Sequence, residues 1–294
     1  MDPLPIPRDF PLPLPASPVD LQLAIVVLFL AHILFVNLML GGTLLSLYYE
    51  LRGLRRPELD RLAHAIAGTV TVTKSLAVVL GVGPLLVMNA LYALWFYTAN
   101  SLTGRAWIMI VPLVILAFGF LYAHKYSWEA LAERKGLHLA LGAAGALLLL
   151  AVPLIFLANI NLMLFPDRWL AVNGFLSALL LPNVLPRFVH FLLASIAITA
   201  LALAGWMCRR TLSPESELAV LDRAEVRREL LTAAFGATIL QAIAGPLAQY
   251  KGQTTSPAFF HVLQTGDFKK ELVLRFKDLY FTAEDLAHAA QHKH

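Results

Sequence analysis

Long apolar runs alternate along the chain with short clusters of charge. The runs fall near 21–49, 75–99, 106–124, 138–160, 186–208 and 230–248, and about 20 apolar residues suffice for a helix to cross a ~30 Å hydrocarbon core. The pattern predicts an all-α fold: a polytopic membrane helix bundle of six transmembrane helices over residues 21–248. Residues 1–20 form a separate arm, with seven prolines in the first 18 positions. The arm lacks the charged start, apolar run and cleavage site of a signal peptide and is expected to be retained as an extended segment. Residues 249–294 are polar, with a helix-like mix from Phe268 to Ala290, and are expected to form a soluble tail.

Two stretches depart from simple alternation. Leu62 to Asn100 is too long for one perpendicular span, so the second helix is expected to begin outside the membrane. Lys74 would then lie near the interface, where its ammonium can snorkel to water. Trp169 to Pro186 is moderately apolar and punctuated by Pro182 and Pro186, which predicts a short re-entrant or interfacial helix.

The composition excludes a soluble protein: 59% of the 294 residues are hydrophobic and only 14% are charged. The net charge of +4 is spread over the connections between apolar runs, which argues against a nucleic-acid partner. Cys208 is the only cysteine, so an intrachain disulfide, a thiolate cluster and a Cys-x-x-Cys-His haem attachment site are all excluded.

The distribution of charge orients the bundle. Connections one, three and five carry twelve basic residues, from Arg52 to Arg228, whereas the arm with connections two and four carries only Arg8, Arg105, Arg168 and Arg187. The positive-inside rule then places both termini outside the cytoplasm, in a bacterial inner membrane.

Ionisable groups inside spans point to function because they are costly there. The six predicted spans hold no aspartate or glutamate, with Asp20, Glu50 and Glu229 flanking them, which disfavours a proton pump or cation-coupled transporter. His32 lies near the middle of span one and His190 one turn into span five, three residues after Arg187. Imidazole is the commonest protein ligand to haem iron, and a b-type haem needs such ligands, an apolar slot and a cation near its propionates. Arg187 shares a helix face with His190 and can supply that cation. Either histidine alone is also explained by a hydrogen bond between helices.

Met39 and Met88 are apolar fillers that can also serve as sixth ligands to a haem, and Met163 belongs with them. His124, at the end of span three, becomes a ligand if it points inward. His64 and His138 are expected to be solvated at the cytoplasmic ends of their spans. The tail residues His288 and His292 form an i,i+4 pair that can hold a metal. Gly81, Gly83 and Pro84 in span two, and Gly142 to Ala146 in span four, give room for a ring or for close helix packing. Counted from their helix starts at about 1.5 Å per residue, His32 and His190 are expected at about 18 Å and about 6 Å, and so to serve separate haems.

The runs HILFVNLMLGG, KSLAVVLGVGPLL, FLANINLMLFP and LLLPNVLPRFVHFLLASIAITALALAGW resemble, in order and spacing, subunit I of the cytochrome bd superfamily, over roughly residues 20–248. The resemblance implies that His32 binds a haem of the oxygen-reacting pair and His190 the low-spin haem through which electrons enter. Span three lacks the glutamates that family uses near its oxygen site, and the six spans omit the later helices that complete its haem ligands. The expectation is therefore a b-type cytochrome subunit holding one or two haem b groups. It would move electrons within a complex of other membrane subunits, with a periplasmic c-type cytochrome or similar redox protein, or a quinone, as exchange partner. The alternatives are a divergent terminal oxidase or gas-binding subunit completed by a second membrane chain, and a cofactor-free membrane anchor.

Overall fold

The computed structural model describes residues 14–207, 218 and 221–247. The tail over 249–294, with His261, His288, His292 and His294, most of the proline-rich arm, and Arg209 and Arg210 lie outside the described residues. Among the described residues all regular structure is helical. Five helical stretches are long and apolar enough to cross a membrane, and the chain is a multi-pass membrane protein.

The first helix, α1 (Pro18–Gly53), begins where Ser17 accepts a hydrogen bond from the Asp20 amide and Pro18 takes the first turn, as a capped N-terminus requires. A three-residue turn leads to α2 (Pro57–Leu91), whose first turn carries Glu58 and Asp60. Tyr92, at φ −124° and ψ 31°, then breaks the helix. The short helix α3 (Ala93–Thr103) follows. The run expected as span two at 75–99 is thus divided: the long apolar helix is α2, starting eighteen residues earlier, and 93–103 is a separate element. A one-turn helix, α4 (Arg105–Ile108), precedes α5 (Ile110–Tyr126). After a turn and the one-turn 3-10 helix Ala132–Arg134 comes α6 (Lys135–Leu164). The expected interfacial segment consists of a 3-10 helix, Pro166–Ala171, and the short α7 (Phe175–Leu179). The last two helices are α8 (Val184–Met207) and α9 (Arg223–Leu247). α9 carries Arg223, Glu225, Arg227, Arg228 and Glu229 in its first two turns and is not among the five stretches above.

Two antiparallel hairpins, α1–α2 and α8–α9, pack against each other through the parallel pair α1 and α8, and α5–α6 forms a third hairpin. Glycine lets α1 and α8 approach: a Cβ on Gly41 would lie 2.2 Å from the Ser195 carbonyl oxygen. Asn37 fixes their register. Its side-chain oxygen accepts from the Ser195 hydroxyl at 2.8 Å and its carbonyl from Thr199 Oγ1 at 3.0 Å. At the end bearing the α1–α2 and α5–α6 turns, called here the basic end, Arg52 pairs with Glu229 at 2.7 Å and Arg56 with Glu225 at 2.9 Å. At the opposite end Trp95, Phe96, Trp169 and Val172 close an apolar cluster with α6.

Candidate functional site

α1 and α2 position His32. Its Nδ1–H donates to the Ala77 carbonyl at 2.8 Å, which leaves Nε2 as the lone-pair nitrogen. A Cβ on Gly81 would sit 2.8 Å from the ring carbon Cε1, so glycine is what allows the α2 backbone to lie against the imidazole. His190 on α8 is half-buried, its Nδ1 is shielded, and that atom has no hydrogen-bond partner among the described residues. Gln241 of α9 reaches the His190 carbonyl at 3.5 Å.

The expected difference in depth between the two histidines is corrected by the register of α1 and α8. Ser195 follows Asn37 by 158 residues, and His190 follows His32 by the same interval, so on parallel helices the two lie at one level. The error came from measuring each from its own helix start, since α1 extends farther beyond that level than α8. Each histidine precedes its contact residue by five positions, about 140° around the helix. The two rings therefore leave the α1–α8 contact on opposite sides.

Arg187 leans toward α6, with its guanidinium 3.5 Å from Asn161 Oδ1 and 5.9 Å from the Phe165 ring centre. Met39 is buried in the core two turns, about 10 Å, inward of His32. Met88 packs on the aromatic cluster at the other end, two turns beyond Gly81. Neither methionine is level with His32. Gly142 and Gly145 serve packing, since Cβ atoms there would meet His124, Leu47 and Leu121 at 2.5–2.9 Å.

A second constellation, at the basic end, was not expected from the sequence. Glu50, taken as a flanking residue, is fully buried. Its Oε2 lies 2.6 Å from His124 Nε2, and its Oε1 contacts His138 Nδ1. His138 Nε2–H donates to the His124 carbonyl at 2.7 Å. His124 and His138 are therefore not solvated: they are 3% and 0% exposed. His124 does point inward, but its Nε2 is engaged by Glu50, and its ring centre is 4.3 Å from that of His138, too close for a macrocycle between them.

Trp128 seals this triad. Its indole packs edge-on to His138 at 4.6 Å, stacks on His64 at 4.8 Å and donates to Asp60 at 3.0 Å, and Lys135 binds both Asp60 oxygens at 2.8 and 2.9 Å.

Lys74 is likewise corrected. It is 1% exposed and midway along α2, with its ammonium 3.1 Å above the Tyr122 ring centre. It does not snorkel. A desolvated cation–π contact contributes about 2 kcal/mol, less than the several kcal/mol that burying an ammonium costs. Lys74 also lines a narrow cavity with Thr43, Ser46, Thr71, His124 and Gly142, whose hydroxyls offer further polar contact.

No protein-family model matches the chain, and no curated protein matches it in sequence. Among solved structures it is similar to a chain of the bd oxidase from Geobacillus thermodenitrificans, with a TM-score of 0.66 and 17% identity. The similarity covers 78% of this chain and 54% of that one, so this chain spans about half of the oxidase chain. At that identity the likeness establishes a bd oxidase-like helical fold.

Proposed function

We propose that the chain is a b-type cytochrome subunit of the bacterial inner membrane that carries electrons through haem b within a multi-subunit redox complex. In this reading α9 is the sixth span, the basic end faces the cytoplasm and both termini lie outside. The observation that carries the proposal is the buried, unpartnered Nδ1 of His190, level with a second histidine whose other nitrogen is already fixed. A buried ring nitrogen without a partner is costly, which supports a reading in which a bound group engages this imidazole. The donor at His32 fits as well. Donation from Nδ1 to a backbone carbonyl sets the tautomer and aims Nε2 outward from the helix, the arrangement common among metal-binding histidines.

Bound haem would supply one-electron transfer at this level of the bundle. His32 and His190 would each hold one group, on opposite sides of α1–α8, and Arg187 would offer its charge to a propionate. Met39 and Met88 lie two turns from His32, so neither would hold the same group as that histidine. Other membrane subunits and an outer redox protein, a c-type cytochrome or similar, or a quinone, complete the path. The bd oxidase-like fold supports the reading as a bundle of apolar helices, in two of which this chain sets a histidine.

The test is a dithionite-reduced minus oxidised spectrum with a pyridine haemochrome assay on the purified complex. His32→Ala and His190→Ala are expected to remove separate portions of the haem b bands. Gly81→Ala, which pushes a methyl against the His32 ring, should reduce the His32 portion only. Wild-type protein without a Soret band would refute the proposal and leave a cofactor-free anchor. Carbon monoxide binding to the reduced protein would instead favour an oxidase or gas-binding subunit.

A further inference from the structure

We propose that Glu50, His124 and His138 bind one divalent first-row transition-metal ion, of which zinc is the probe, with the cavity beside His124 as its open coordination position. The inference is independent of the haem reading, since it concerns other residues at the other end of the bundle.

The donor set carries the chemistry. The three side chains come from α1, α5 and α6, and their ligand atoms lie within 4.8 Å of one another. Two imidazoles and one carboxylate are a set that zinc and ferrous iron accept with a position left open. Burial is complete at Glu50 and His138 and nearly so at His124, so the three side chains are held by packing, with Trp128 across the basic-end side of the site. His138 donates its Nε2–H to the His124 carbonyl, the second-sphere bond that orients a ligating histidine.

That same bond decides what stands between His138 and Glu50. With Nε2 carrying the proton, a neutral His138 presents its Nδ1 lone pair to the carboxylate oxygen it touches. Two lone-pair atoms in contact need a positive centre between them, either an additional proton or a metal ion. Loading releases that proton to solvent in exchange for the ion, and His124 turns to its Nδ1–H tautomer so that Nε2, which faces Glu50, presents a lone pair with no change in its proton count. Bonds of about 2.0–2.2 Å require the ligand atoms to part slightly, within reach of a carboxylate rotation.

The cavity gives the site a use beyond structure. It is lined by His124 together with Lys74, Thr43, Ser46 and Thr71, and a Cβ on Gly142 would fall 2.9 Å from His124 Nε2. A side chain there would press on the ligand nitrogen. A metal at the triad and the Lys74 ammonium across the cavity would favour a small anionic ligand, such as hydroxide, between them.

The experiment uses the full chain, purified and chelator-stripped, with His261, His288, His292 and His294 replaced by alanine so that tail histidines cannot bind. After equilibrium dialysis against zinc, one equivalent per chain is expected, with a zinc-edge X-ray absorption spectrum showing two imidazoles and oxygen ligands. Haem iron does not enter either reading. Glu50→Gln and His124→Gln should each weaken binding at least tenfold, while His64→Ala, which touches Trp128 but not the triad, should not. Substoichiometric zinc in the otherwise unaltered bundle overturns the proposal and assigns the shared positive centre to a proton. Undiminished binding in folded Glu50→Gln or His124→Gln overturns it too. Where those variants fail to fold, the absorption spectrum decides: a shell without two imidazoles refutes the site.

Discussion

Replacing Gly41 with alanine tests the contact that aligns α1 with α8. The added Cβ would lie 2.2 Å from the Ser195 carbonyl oxygen and 2.3 Å from Thr199 Oγ1. The hydroxyl can rotate away, but the carbonyl belongs to the α8 backbone, so α8 must retreat by roughly 1 Å to restore ordinary contact. Overpacking of this kind costs about 1–3 kcal/mol. The two hydrogen bonds to Asn37 weaken with it, at roughly 0.5–1.5 kcal/mol each, offset by about 1 kcal/mol from alanine's better helix propensity. The net expectation is a loss of about 2–3 kcal/mol, which is about thirty- to a hundredfold in the folded-to-unfolded ratio. Unfolding by sodium dodecyl sulfate in mixed micelles, followed by circular dichroism, measures it. Gly119→Ala is the control, because a Cβ there meets nothing within 4 Å, and it should leave the midpoint unchanged or raise it. Equal midpoints for the two variants would refute the close-approach argument.

Lys74→Met removes a buried ammonium along with its desolvation cost and should leave the melting temperature unchanged or higher. Tyr122→Leu, which takes away the nearer of the two rings under the ammonium, should lower it, and the double variant should recover; a larger loss in Lys74→Met than in Tyr122→Leu would contradict this. At the basic end, the Arg56 guanidinium holds the Glu225 carboxyl below the ordinary carboxylate range through their hydrogen bonds. A lowered folded value means that the bridge stabilises at neutral pH and is lost as pH falls through that value. Glu225→Gln should therefore slightly lower the neutral-pH melt and flatten its acid dependence. The difference should shrink in high salt, because both groups reach solvent, and parallel pH profiles of the two proteins would exclude the linkage.

The helices were legible because each apolar run exceeds what a soluble helix needs, and five of the predicted spans have counterparts in long apolar helices. The break at Tyr92 was not legible, since apolar residues continue through it and only a backbone torsion ends α2. Glu50 was missed for a different reason. Its neighbours in sequence are a charged turn, whereas its burial depends on partners 74 and 88 residues away. A signal did exist: His124 and His138 stand at facing ends of two helices joined by a short turn, a spacing that makes them neighbours in any antiparallel hairpin. Asn37 was a similar signal, an amide set in an aliphatic run, and it would have given the common level of His32 and His190. Lys74 was misplaced because snorkelling assumes a route to water, and α5 closes that route with Tyr122.

The clasp at Asn37 also sets a timetable for biosynthesis. Its hydroxyl partners in α8 are made about 158 residues later, roughly ten to thirty seconds at ordinary elongation rates. Throughout that interval the nascent α1–α2 hairpin stands in the bilayer with the amide of Asn37 facing a neighbour not yet synthesised. Until α8 is inserted that amide lacks its partner, so a chain halted before α8 is expected to hold its first hairpin less firmly than the finished bundle does.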